Sequence, residues 1–303
     1  MDLSIVIVSY NARDYLRACL ASIYQHTADL AYEVIVVDND SWDGSAEMVK
    51  GEFPQAALIR SPGNLGFAAA CNRGIAQAQG EFLLLLNPDT EIADNAFAPL
   101  VTYARHHPRV GVLGPKLLNS DGSLQLSCRR FPSHLTGLFN RQALLTRLFP
   151  RNPFSSRYLM TDWDHDSVAE VDWLSGACML ISRRLVDDVG LLDEAFFFAI
   201  EDVDFCYRAH QAGYQVVYFP QVAVTHHIGK SSQTLPNRSI LQWHRGMWRY
   251  YRKHMRRNPL VDGLTLVGIG ARCGYQLAVQ NGRRLLAGTR RSRRRRAARG
   301  GSG

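Results

Sequence analysis

An α/β protein built on a largely parallel sheet is what three features of this chain predict. Four short apolar runs, at 3–8, 33–37, 57–60 and 82–86, alternate with segments of helical spacing. Each run stops abruptly in polar residues. Hydrophobic residues make up 46% of the 303, enough for a real core, which excludes disorder for most of the length.

The first run is too short for the apolar region of a signal peptide and has no basic leader, so it reads as a strand. Six cysteines lie scattered without the short intervals of a zinc site and read as reduced thiols of a cytosolic protein. After the first run, Tyr15, Leu16, Cys19, Leu20 and Ile23 form the apolar stripe of a helix. Residues 68–78 read as a helix of small residues able to lie close to a sheet.

The fourth run ends in Asn87-Pro88-Asp89. In an open α/β sheet ligands bind beyond the carboxyl ends of the strands, where an aspartate can hold a cation against phosphates. A proline turn accounts for the same residues equally well. The other endings decide the matter: Ser9-Tyr10-Asn11, Asp38-Asn39-Asp40-Ser41 and Gly63-Asn64-Leu65-Gly66. Four polar endings on one rim describe a pocket suited to a ribose and a metal-bound diphosphate. No Gly-x-Gly-x-x-Gly follows the first strand and no Walker A loop occurs, so side chains and a metal hold the nucleotide.

These endings, together with Asp43-Gly44-Ser45, Phe67-Ala68 and Asn72-Arg73-Gly74, resemble the family 2 glycosyltransferases of the GT-A fold. The chain is most similar to their rhamnosyltransferase-like branch, over about residues 3–255. The resemblance implies a Rossmann-like mixed sheet with flanking helices as a catalytic domain at 1–235, with a nucleotide-sugar half at 1–115 and an acceptor half at 116–235. It implies donor contacts from Ser9, Asn11, Asp38, Asp40, Asn64, Gly66, Asn72 and Asn87. Asn87 replaces the first acid of the usual Asp-x-Asp metal motif, which leaves Asp89 as the metal ligand of that loop.

In the second half, 119–125 reads as a hairpin turn. Residues 129–166, rich in Arg, Pro, Ser and Asp, read as a variable surface segment, with a flap over the acceptor as the alternative. A buried strand follows Trp173 and Gly176, and the resemblance places it beneath the donor sugar, with Trp173 and Gly176 among the donor contacts. Next come Glu201, Asp202 and Asp204 behind an aromatic cluster whose low polarity raises a carboxylate's pKa toward that of a useful base. By resemblance Asp202 is the general base, and Glu201 holds the acceptor hydroxyl or the donor sugar. Asp204 pairs with Arg208, four residues on. After a strand at 215–219, the family pattern His-x-x-Gly-x-Ser maps onto His226, Gly229 and Ser231. It implies His226 as a second metal ligand, with Lys230 reinforcing the phosphate contact; His227 points the other way along an extended segment.

Residues 236–288 read as a helical, membrane-surface segment, dense in Trp, Tyr, Arg and Lys and then in glycine-spaced aliphatics, with no run long enough to span a bilayer. Residues 289–303 read as a basic disordered tail. Ten arginines and no acid follow Asp262, so the formal charge of +8 belongs to the end of the chain and the remainder is near −2. Such a tail attracts anionic lipid. A nucleic-acid partner is not expected, because no base-reading motif accompanies the arginines.

The expected activity is inverting transfer of a sugar, dTDP-L-rhamnose being the foremost donor, to a lipid-linked or polysaccharide acceptor with Mg2+ or Mn2+. The expected location is cytoplasmic, on the inner membrane face. A UDP-hexose donor, or a non-catalytic nucleotide-sugar or membrane-binding protein, stands as the alternative.

Overall fold

The computed structural model describes residues 1–133, 153–227 and 236–299. The chain divides into two compact units, Met1–Thr234 and Leu235–Gly303.

In the first unit the four apolar runs become β1 (Leu3–Ser9), β2 (Tyr32–Asp38), β3 (Ala57–Arg60) and β4 (Phe82–Leu86). All pair in parallel in the order β3-β2-β1-β4. The connecting helices are α1 (Arg13–His26), α2 (Ser45–Glu52) and α3 (Phe67–Ile75). Every residue of β1 and β4 is buried, which is why both read as unbroken apolar runs rather than alternating ones. Helix α3 lies tight on the sheet at Gly74, where a Cβ would stand 2.4 Å from Val6 Cγ1.

Beyond β4 the order continues with β11 (Cys178–Ser182), β6 (Val110–Leu118), β12 (Gln215–His226) and β5 (Thr90–Ile92). The later elements are β5 (Thr90–Ile92), α4 (Phe97–His106), β6 (Val110–Leu118), β7 (Leu124–Gln125) and β8 (Cys128–Arg129). They are followed by α5 (Pro153–Leu159), β9 (Ala169–Glu170), β10 (Trp173–Leu174), β11 (Cys178–Ser182), α6 (Arg183–Val189), α7 (Glu201–Gln211) and β12 (Gln215–His226). The hairpin expected at 119–125 joins β6 to β7 in antiparallel register, Leu118 facing Leu124.

Strand β11 is antiparallel to β4, so Cys178 lies beside Leu86 and β11 starts where β4 ends. Strand β6 is antiparallel to β11 and parallel to β12. The carboxyl ends of β1, β2, β4 and β12 therefore share one rim with the start of β11.

Two expectations need correction in this unit. Strand β12 does not stop at 219; its pairing with β6 breaks register between Phe219 and Ala223, around Pro220, and resumes to Thr225, the strand running on to His226. The segment 129–166 is not uniformly a surface insertion. Among its described residues, β8 pairs with β10, and Trp163 and His165 pack their rings against Tyr218, with His165 1% exposed.

The second unit holds α8 (Pro236–Tyr250), a π-helical turn at Tyr251–Met255 and α9 (Pro259–Arg299). Asn258 accepts the Val261 N–H at 3.0 Å ahead of Pro259, an N-cap with proline in the first helical position. Helix α9 runs through most of the tail expected to be disordered. Arginine ranks with leucine as a helix former, and Gly288 is the last glycine before Gly300.

Candidate active site

At the tips of β1 and β2, Ser9 and Asp38 are register partners. Both are buried, and Ser9 Oγ and Asp38 Oδ1 lack a hydrogen-bond partner. A buried polar atom without a partner costs about 1–3 kcal/mol, so this pair is built for something that arrives. Burial pushes the Asp38 carboxyl above its ordinary range, partly offset by hydrogen bonds from Ser41. Asn11 adopts φ 52°, takes the Trp42 N–H on Oδ1 at 2.9 Å and leaves its buried Nδ2 without a partner. Asp40 stands exposed at φ 69°.

The next loop is shaped by two asparagines, one its own and one from the tip of β2. Asn64 Oδ1 accepts from Gly66 N at 3.1 Å, and Asn39, absent from the predicted site, accepts from Leu65 N and donates to the Gly66 carbonyl. Gly66 is obligatory: its φ is +85°, and a Cβ would stand 2.4 Å from the Phe197 carbonyl oxygen. Phe67 N–H bonds that same carbonyl at 2.9 Å. Asn72, expected at the donor, is instead spent inside the fold. Its amide donates to Leu192 O and Glu194 and accepts from Leu192 N. The 64–67 loop and helix α3 are thus clamped to the 192–200 segment.

That segment leads into α7 through Ala199 and Ile200, both at positive φ, 62° and 74°. A β-branched residue in this region is a strained one, and such strain persists where the surroundings over-determine it. The outcome is the placement of Glu201 and Asp202 at the helix start. Asp202 is half-buried; Oδ2 accepts from Gly176 N at 3.1 Å and Oδ1 from Val203 N at 2.8 Å. Glu201 is 6% exposed, and its Oε2 has no partner. Burial raises the pKa of both. Glu201 moves well above its ordinary value, with the Asp202 charge adding to the effect, while the Gly176 and Val203 N–H groups and the Arg129 charge restrain Asp202. The pair's environments push ionisation toward Asp202 and the proton toward Glu201. Asp204 forms the expected pair with Arg208 at 2.9 Å.

Arg129 escaped the sequence reading, because nothing in its local pattern marks it. Strand β8 delivers it, and its guanidinium lies 5.3 Å from the Trp173 ring centroid. Trp173 itself spends its ring N–H on Arg130 O, so it supports Arg129 and the β8–β10 pair. Gly176 contributes its N–H to Asp202.

At the β4 tip, Asn87 N bonds Ala177 O at 2.9 Å, which ties this loop to the segment that holds Asp202. Asp89 is 2% exposed, its Oδ1 makes no hydrogen bond, and it lies 3.3 Å from His226 Nε2. The His227 N–H binds the Asp89 carbonyl at 2.8 Å, fixing strand end to loop. His227 does point away, its ring nitrogens meeting Ser120 and Glu91. Among the described residues no cluster of three or more metal-ligating side chains occurs. The orphaned Asp89 oxygen converging on a histidine nitrogen fits a divalent cation that takes its other ligands from phosphate and water. Lys230, Gly229 and Ser231 lie outside the described residues.

Five of the six thiols are held in their unreactive protonated form. Cys19, Cys71, Cys128, Cys178 and Cys206 are buried, and burial pushes Cys19 and Cys128 up to about 12 and the other three upward as well.

With strand tips, loop clamp and carboxylates in place, the model of Glycosyl transferase family 2 matches residues 4–189. The chain belongs to glycosyl transferase family 2. As a family 2 member it is a nucleotide-sugar-dependent glycosyltransferase with a GT-A-like mixed sheet. It is 33% identical over 257 residues to the N-acetylglucosaminyl-diphospho-decaprenol L-rhamnosyltransferase of Mycobacterium tuberculosis, covering 81% of this chain and 82% of that one. It is 30% identical over 215 residues to a low-salt glycan biosynthesis hexosyltransferase of Haloferax volcanii, covering 69% and 62%. Among solved structures, the Pyrobaculum calidifontis mannosyltransferase with GDP-Man and Mn2+ superposes with a TM-score of 0.57 at 17% identity, over 93% of this chain and 80% of that one. At that identity the likeness speaks for the fold alone.

Proposed function

We propose that this glycosyltransferase moves L-rhamnose from dTDP-L-rhamnose to a hydroxyl of a lipid-linked glycan acceptor, with inversion at the anomeric carbon. The observation that carries the reading is the likeness to the mycobacterial rhamnosyltransferase over four fifths of both chains. The rim of unpartnered polar atoms supports it.

Asp38, Ser9 and Asn11 bind the nucleoside through the atoms they leave free, while Asn64 and Gly66 shape the loop beside it. Asp89 and His226 hold Mg2+ or Mn2+. When bound, the cation neutralises the charge of the departing diphosphate. Asp202 takes the acceptor hydroxyl proton; the acceptor oxygen bonds the anomeric carbon as that carbon's bond to the diphosphate oxygen breaks. Glu201, kept protonated by burial, donates a hydrogen bond to a sugar hydroxyl. Asn87 contacts sugar or phosphate.

The acceptor's lipid implies a membrane surface. No helix among the described residues is long and apolar enough to cross a bilayer. Yet between 259 and 282 the exposed positions of α9 carry no charge, and Leu260, Leu264 and Val267 are 74%, 66% and 69% exposed. The two charged residues of that stretch turn inward: Asp262 to Tyr251 and Arg256, and Arg272 onto the Trp243 ring at 4.6 Å. An uncharged outward face continuing into the arginine run suits an anionic inner leaflet.

A panel of nucleotide sugars, screened for thermal stabilisation with Mg2+ or Mn2+ and then for transfer, tests the donor. The greatest stabilisation and turnover are expected with dTDP-L-rhamnose. Preference for a UDP-hexose rejects the rhamnose assignment while leaving the enzyme class intact.

A further inference from the structure

We propose that Gln125 is a positioning residue that sets the tautomer of His226 and so presents the Nε2 lone pair to the cation; this rests on the reading of Asp89 and His226 as the cation site. The β6–β7 hairpin places Gln125 beside the end of β12. Its Nε2 lies 3.2 Å from the backbone carbonyl oxygen of His226 and 3.1 Å from Asn119 Oδ1. A backbone carbonyl only accepts, so the Gln125 nitrogen faces it and donates. Gln125 Oε1 is thereby left as an acceptor, and it lies 2.7 Å from His226 Nδ1. That ring nitrogen must carry the proton.

The neutral ring then has its lone pair on Nε2, the nitrogen 3.3 Å from Asp89 Oδ1. The Asn87 amide nitrogen also lies 3.3 Å from Nε2, where an N–H donor meets that lone pair. Asn87 covers this lone pair with a single neutral hydrogen bond, a weaker hold than a cation would have. A lone pair and a carboxylate oxygen facing each other repel unless a positive charge lies between them. Gln125 therefore holds the site in the form that wants a cation. Outer hydrogen bonds of this kind orient histidine ligands and are worth about 10–100-fold in metal affinity.

The test uses the full chain labelled with 15N-histidine, with the His226 signals assigned by their loss in His226→Ala. Long-range 1H–15N correlation of the metal-free protein is expected to show Nδ1–H at His226. Gln125→Met is expected to move the proton to Nε2 and to weaken binding of Mn2+ in the presence of dTDP by about tenfold, read by electron paramagnetic resonance. Gln125→Glu, which keeps an acceptor at Nδ1 while giving up the donor to the His226 carbonyl, is expected to retain the tautomer, and thermal melts verify that each variant folds. Weakened Mn2+ binding in His226→Ala with unchanged tautomer and affinity in Gln125→Met overturns the inference alone. Unchanged Mn2+ affinity in His226→Ala overturns the cation reading and this inference with it.

Discussion

Glu201 and Asp202 are adjacent carboxylates whose surroundings differ, and their behaviour is testable one residue at a time. Two backbone N–H groups hold Asp202, whereas Glu201 Oε2 has none. Asp202→Asn is expected to keep donor binding and lower transfer by about 10³-fold, measured by single-turnover kinetics with the dTDP-sugar. Burial raises Asp202, so the ionised base is depleted as pH falls through that raised value. The acid limb of kcat/KM is therefore expected above the ordinary carboxylate range, and a limb at an ordinary carboxylate pKa counts against this base. For Glu201 the raised folded pKa means stability that is full at acid pH and lost as pH rises. Glu201→Gln is expected to melt about 2–4 °C above wild type at pH 8, with the gap closing toward pH 4.

Among elements, the clamp between α3 and the 192–200 segment holds the chain that leads into Glu201 and Asp202. Glycine at 66 permits both the positive φ and the contact with Phe197 O, and Asn72 closes the other side. Gly66→Ala is expected to cost about 2 kcal/mol in urea unfolding and to lower turnover through displacement of Glu201 and Asp202. Wild-type turnover in a folded Gly66→Ala variant would separate the loop from the chemistry. The hairpin of β6 and β7 plays the matching role for His226.

Over the whole molecule, the sheet order is what gathers residues separated by more than a hundred positions. Asp89, Gly176, Asp202 and His226 lie on one rim because β11 runs opposite to β4 while β12 runs with it. The uncharged outward face of α9 adds a membrane prediction for the full chain. Co-sedimentation with anionic vesicles is expected to fall several-fold in the double variant Leu264→Glu, Val267→Glu, and to weaken with salt. Equal sedimentation of variant and wild type would remove α9 from the membrane reading.

The sequence by itself determined the parallel half of the sheet and the polar strand tips, and it singled out Glu201 and Asp202 as the pair proposed for catalysis. Buried parallel strands must be apolar throughout, and their polar ends break that pattern visibly. The sequence also carried His226 and Asp89, through the order of their motifs. Only the tertiary structure decided what each polar atom does. Asn72 and Trp173 carry their hydrogen bonds inside the fold, Arg129 reaches the neighbourhood of Asp202, and Gln125 holds the ring of His226. Side-chain partners between distant strands follow from register and turn geometry, which residue spacing along a single chain does not record.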